Sequence, residues 1–235
     1  MRRVLLAVTL VAVALSLASC GGDSVAPKKE LTTFEEKSSY AIGQNVGASL
    51  KQTNMTIDIA AFVQGVRDTL EGGKSLLTAE ESMAVMQEFS EKAREAELQK
   101  RQEEGAKNLA EGQAFLETNK AKAGVTTTAS GLQYEVITQG TGPKPKATDR
   151  VSVHYRGTLI DGTEFDSSYT RGQPAQFALN AVIPGWGEAL QLMPVGSKYK
   201  ICLPPDLAYG DRGAGPQIGP NATLVFEIEL LSIDK

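Results

Sequence analysis

From Thr78 onward no proline appears until Pro143, and that gap limits what this chain can become more than any other feature. Thr78 followed by Glu81 has the spacing of a capping box, in which each side chain accepts from the other residue's backbone N–H. A helix started there can run over 79–122, which is 44 residues and roughly 66 Å at about 1.5 Å per residue. Its first turns carry Met83, Met86 and Phe89, whereas 91–107 is mostly Glu, Lys, Arg, Gln and Ala without a continuous apolar stripe. Such a segment reads as a solvated spacer. Gly105 and Gly112 weaken it by up to about 1 kcal/mol each relative to alanine and mark candidate bends. Lys120 and Lys122 suit the dipole at its end.

Two shorter helices precede it. Thr33 and Glu36 repeat the capping-box spacing and open a helix to about Gln52. Asp58 caps a second, in which Ile59, Phe62, Val63, Val66 and Leu70 recur at helical spacing before Gly72 and Gly73 stop it. Neither can bury much alone. An all-helical region over 31–124 that pairs with a second copy is therefore expected; a self-contained helical hairpin is the alternative.

Beyond Gly124 the period changes. Leu132, Tyr134 and Val136, then Val151, Val153 and Tyr155, alternate with polar residues, and 222–233 alternates again. Turn dipeptides such as Asp161-Gly162 and Pro184-Gly185 punctuate the stretch. Residues 125–235 are thus expected to form a compact α+β domain with one short helix near Trp186.

At the other end, Arg2 and Arg3 precede an apolar run over 4–18, about 15 residues, short of the ~20 that span a bilayer. The run ends Leu17-Ala18-Ser19-Cys20, followed by Gly21, and resembles a bacterial lipobox. That resemblance implies that 1–19 is a lipoprotein signal peptide and that Cys20 is acylated, tying the protein to a membrane; plain secretion is the simpler alternative. Residues 20–30 then read as a flexible tether. Gly21, standing where retention at the inner membrane often uses aspartate, favours the outer membrane of the cell envelope. With Cys20 acylated, Cys202 is the one free thiol, so no intramolecular disulfide is expected. A single histidine and no cysteine cluster leave a metal site unsupported. The net charge is −4, and −6 once the two charges of Arg2 and Arg3 leave with the leader, which argues against a nucleic-acid partner.

The most specific words lie between 150 and 231. Val151-Ser152-Val153-His154-Tyr155-Arg156-Gly157 leads into Asp161-Gly162-Thr163-Glu164-Phe165-Asp166-Ser167-Ser168. Val182-Ile183-Pro184-Gly185-Trp186, Ala208-Tyr209-Gly210 and Ala222-Thr223-Leu224-Val225-Phe226 follow in order. This series resembles the FKBP-type peptidyl-prolyl cis–trans isomerases, and the lipobox and helices resemble the macrophage-infectivity-potentiator-like bacterial members. The resemblance implies a twisted antiparallel sheet wrapped around a short helix, with an apolar pocket between them. Trp186 would line the pocket floor, and Tyr155, Phe165, Val182, Ile183, Tyr209 and Phe226 its walls and rim. Asp166 would stand at the edge with Arg171 as partner, and Ile218 is a further contact candidate. Many small members carry an aromatic after the proline matching Pro174; here Ala175 stands there, and Phe177 is expected to supply that wall.

These residues suit the implied reaction. Rotation about an X–Pro bond needs no nucleophile, cofactor or proton removal from carbon; its obstacle is amide resonance, a barrier of ~18–20 kcal/mol. A planar amide is more dipolar than a twisted one, so a dry aromatic pocket favours the twisted state, which is differential binding of the transition state. Backbone and Tyr209 hydroxyl donors can hold the neighbouring carbonyl, while Asp166 either polarises the rim or holds Tyr155 and Arg171. Prolyl segments of exported, partly folded proteins are the expected partners. A dimeric holdase chaperone, with isomerisation secondary, is the competing reading.

Overall fold

A computed structural model describes residues 29–53 and 55–234. The expected signal peptide, Cys20 and all but the last two residues of the tether lie outside the described residues. The chain divides between Ser49 and Leu50 into two compact units.

Local signals set the helix starts. Helix α1, Phe34–Gln52, begins where the Glu36 N–H donates to Thr33 Oγ1 at 3.2 Å and the Thr33 N–H donates to Glu36 Oε2 at 3.2 Å. Helix α2, Ile59–Glu71, is capped by Asp58, whose carboxylate accepts from the N–H groups of Ala60 and Ala61. It ends on Gly72 in the left-handed region at φ 70°, a conformation that glycine adopts without a Cβ clash. Ile59, Val66 and Leu70 of its apolar stripe remain exposed, Leu70 at 81%. Helix α3, Ala79–Lys120, carries the full capping box of Thr78 and Glu81 and runs for 42 residues, ending two residues before the expected 122. It continues through Gly105 and Gly112 as one helix. Both glycines are buried, with Asn119, against the domain that follows; 91–107 is otherwise mostly exposed, as a spacer should be. No helix among the described residues is long and apolar enough to cross a membrane.

Seven strands follow: β1 Val125–Thr127, β2 Gln133–Thr138, β3 Arg150–Leu159, β4 Glu164–Ser167, β5 Ala175–Ala178, β6 Lys198–Leu203 and β7 Leu224–Asp234. They form one antiparallel sheet in the order β1-β2-β6-β7-β3-β4, with β5 also paired to β3. The α+β expectation and the antiparallel sheet with a short helix hold. Strand β3 is shared by its neighbours: β5 pairs with 150–153 and β4 with 156–158, while β7 runs along its length. The alternation expected of β3 is the alternation observed, with Val151, Val153 and Tyr155 buried. Leu224, Phe226, Ile228 and Leu230 of β7 join them, and helix α4, Pro184–Leu192, completes the core with Trp186 and Leu190. Each fully buried Leu or Ile contributes about 1.5–3 kcal/mol relative to exposure, so this one cluster dominates the stability of the domain.

The end of α3 is pinned to the sheet. Asn119 Nδ2 donates to Gln133 Oε1 at 2.8 Å, and Gln133 Nε2 donates to the Leu116 carbonyl at 2.9 Å. Cys202, on β6, is buried beside Asn119, and burial pushes its thiol up to about 11, which keeps it protonated.

Candidate functional site

Pro184 stands in the first turn of α4, where its fixed φ suits the helix and its missing N–H costs nothing. Two residues later Trp186 enters the core with 4% of its surface exposed. Three rings meet the indole edge to face: Tyr155 at 5.0 Å between centroids, Phe177 at 5.3 Å and Phe226 at 5.3 Å. Phe165 meets Phe226 in the same way at 5.6 Å. Such T-shaped pairs add about 0.5–1.5 kcal/mol each beyond area burial and hold the rings at set angles.

Above the indole lies a cavity of about 260 Å³. Its lining includes Tyr155, Phe165, Asp166, Phe177, Val182, Ile183, Trp186, Tyr209 and Phe226. Nine of the ten pocket residues named from the sequence therefore come together. Phe177, on β5, occupies the wall that Ala175 cannot supply. Ile218 differs. It pairs back on Ala214, accepting from the Ala214 N–H at 2.8 Å and donating to its carbonyl at 3.2 Å, and its side chain packs in the core rather than in the cavity. Ala181, which also lines the cavity, carries no polar or aromatic group by which a sequence reading finds it.

Gly157 makes the aromatic floor geometrically feasible. It lies opposite Asp166 on β4 and Phe226 on β7. A Cβ there would come within 2.7 Å of both the Phe165 and Phe226 rings.

The polar edge is a triangle. Tyr155 donates its hydroxyl to Asp166 Oδ2, Arg171 Nη1 donates to Asp166 Oδ1, and Arg171 Nη2 donates to the Tyr155 oxygen at 2.7 Å. The Arg171 guanidinium also sits 5.4 Å from the Tyr155 ring centroid. Burial raises the Asp166 carboxyl, but the hydrogen bonds from Tyr155 and Arg171 outweigh it and hold the group below the ordinary carboxylate value. Burial, followed by the bond to Asp166, pushes the Tyr155 hydroxyl up against the opposing effect of Arg171. Tyr209 stands at the rim, 40% exposed, and burial raises its hydroxyl too. Behind the site, Ser168 Oγ accepts from the Tyr155 backbone N–H at 2.8 Å and lies 3.0 Å from His154 Nδ1. His154 stacks on Tyr169, away from the cavity lining.

The model of the FKBP-type peptidyl-prolyl cis-trans isomerase matches residues 142–231, and that of the domain amino-terminal to it matches 35–136. The chain belongs to the FKBP-type peptidyl-prolyl isomerases. This isomerase is 49% identical over 217 residues to the FKBP-type peptidyl-prolyl cis-trans isomerase FkpA of Aeromonas hydrophila, covering 89% of this chain and 80% of that one. It is 43% identical to the outer membrane protein MIP of Legionella longbeachae, over 100% of this chain and 99% of the relative. The crystal structure of FkpA from Escherichia coli superposes on the isomerase with a TM-score of 0.70 at 39% identity, covering 87% of this chain and 99% of that one. Peptidyl-prolyl cis–trans isomerisation is accordingly its activity, and the infectivity-potentiator-like resemblance holds in the relatives.

Proposed function

We propose that the isomerase turns X–Pro bonds of exported proteins in the cavity above Trp186, with no cofactor and no covalent intermediate. The observation that carries this reading is the aromatic cage: one buried indole met edge to face by Tyr155, Phe177 and Phe226 beneath a cavity of about 260 Å³. A prolyl ring packs on such faces, and the largely aromatic surroundings favour the less dipolar twisted amide over the planar one. The backbone N–H of Ile183 has no acceptor among the described residues, and neither does the Tyr209 hydroxyl. Both residues border the cavity, so these two donors can hold the carbonyl beside the turning bond. Asp166, bonded to Tyr155 and Arg171, acts by fixing the Tyr155 wall rather than as a proton-transfer group, because no proton moves in the reaction.

A protease-coupled proline-peptide assay on residues 21–235 tests this. Trp186→Leu should lower kcat/KM by at least about tenfold, since a 1 Å misplacement of groups around the reacting bond already costs up to 10²-fold. Full activity in a folded Trp186→Leu protein would sink the reading.

The envelope setting is part of the proposal. Acylation of Cys20 follows from the lipobox resemblance, and an end-to-end relative named as an outer membrane protein supports that destination. Cys20→Ser should abolish labelling by a palmitate analogue. A homodimer through the helical region is supported by the apolar residues left exposed on α2, on the loop after it and at the start of α3, among them Phe62, Leu70, Leu76 and Met83. The same surface favours the second reading, a holdase chaperone. Client protection by the Trp186→Leu protein separates the two: protection retained without isomerisation assigns chaperoning to the helices, and protection lost with it assigns both to the pocket.

A further inference from the structure

The second half of α3 lies against the loop that ends at β7, and it does so through bare backbone. Gly105 and Gly112 are seven residues apart on one face of the helix, and both are buried. A Cβ on Gly112 would fall 2.2 Å from Thr223 Oγ1, and one on Gly105 would fall 3.2 Å from Pro220 Cβ. Gly219 faces the same stretch of helix, where a Cβ would meet the flexible end of Glu104, with Oε1 at 2.3 Å. Asn108 Nδ2 donates to the Pro220 carbonyl at 2.8 Å, and Arg101 Nη2 to the Arg212 carbonyl at 2.8 Å.

Asn221 joins this contact to the pocket. Its side-chain amide donates to the Gly105 carbonyl at 3.4 Å, and its backbone N–H donates to the Gly210 carbonyl at 2.8 Å. Gly210 directly follows Tyr209 on the cavity rim. Asn221 stands at φ 53°, the one non-glycine residue in the left-handed region among the described residues. Asparagine tolerates that conformation better than most side chains, and such positions persist only where the surroundings enforce them.

We propose that Asn221 is a positioning residue: clamped between the α3 backbone and Gly210, it sets the place of Tyr209, so that α3 is the back wall of the substrate rim as well as a spacer. This rests on Tyr209 acting at the pocket. The helix glycines then have a use that outweighs their poor propensity, since Gly112, and less strictly Gly105, lets the helix approach 219–223 closely.

The test is a double-mutant cycle on residues 21–235, read as kcat/KM for proline peptides. Asn221→Gly keeps the left-handed backbone and removes the amide; it should lower kcat/KM by about tenfold. In a Tyr209→Ala background the same change should cost little, because its route to the substrate is already gone. Gly112→Ala should imitate Asn221→Gly, and Gly112→Ala with Thr223→Gly should recover most of the loss. Full activity in folded Asn221→Gly, or equal losses with and without Tyr209, would overturn the proposal. If Gly112→Ala does not fold, the Asn221 cycle decides alone. If Tyr209→Ala by itself costs nothing, the rim reading fails and this inference with it, whereas a normal Tyr209→Ala loss beside a silent Asn221→Gly rejects this inference only.

Discussion

Asp166 and Tyr155 hold each other in opposite ionisation states, and pH should reveal both. Asp166 lies below the ordinary carboxylate value of 3.8 in the fold, so its contribution is complete above that value and is lost as pH falls through the lowered one. Tyr155 is raised above 10.0, so its contribution is complete below 10.0 and is lost as pH rises through the raised value. Melting temperature should therefore fall at both ends. Asp166→Asn should flatten the acid limb, and Tyr155→Phe the alkaline one; unchanged limbs would mean that the triangle is irrelevant to stability. Gly157→Ala is the complementary test of shape. Its Cβ would press within 2.7 Å of two pocket rings, so urea unfolding should show a loss of about 1–3 kcal/mol, together with reduced isomerisation.

At the scale of elements, the helix starts are local devices and should behave so. Thr78→Ala removes the acceptor for the Glu81 N–H and should cost about 0.5–2 kcal/mol of local stability. Hydrogen exchange should quicken over the first turns of α3. The peptide kcat/KM should stay unchanged, because Thr78 stands some 27 residues ahead of the first glycine that touches the domain. A change at Asn119 acts differently. Its amide is buried against Gln133 and Cys202, so Asn119→Ala strands a polar partner and should destabilise the whole domain by about 1–3 kcal/mol.

For the whole molecule, two measurements follow. Phe62→Glu with Val66→Glu places charge on the exposed stripe of α2; if that stripe pairs two copies, sedimentation equilibrium of residues 21–235 should show a monomer with intact peptide isomerisation. A wild-type monomer would remove dimerisation from the proposal. In the same protein Cys202 is the sole thiol, buried and held protonated at about 11, so it should resist a thiol reagent until global unfolding exposes it.

Some of this was decided within short stretches of chain. Thr33, Asp58 and Thr78 start helices because a cap and the N–H groups it serves lie two or three residues apart. Val151, Val153 and Tyr155 face one side because strand side chains alternate whatever surrounds them. The ordered words around Tyr155, Phe165, Asp166, Trp186, Tyr209 and Phe226 were enough to name the family and to gather nearly all of the cavity lining. Tertiary structure alone decided the rest. Gly105 and Gly112 read locally as weak points of a helix, and only the approach of 219–223, more than a hundred residues on, makes them contacts. Ile218 carries the right side chain for a pocket, but its pairing with Ala214 turns it into the core. Periodicity and capping act over a few residues, whereas a close backbone approach depends on where two distant segments meet, and no spacing in the chain encodes that distance.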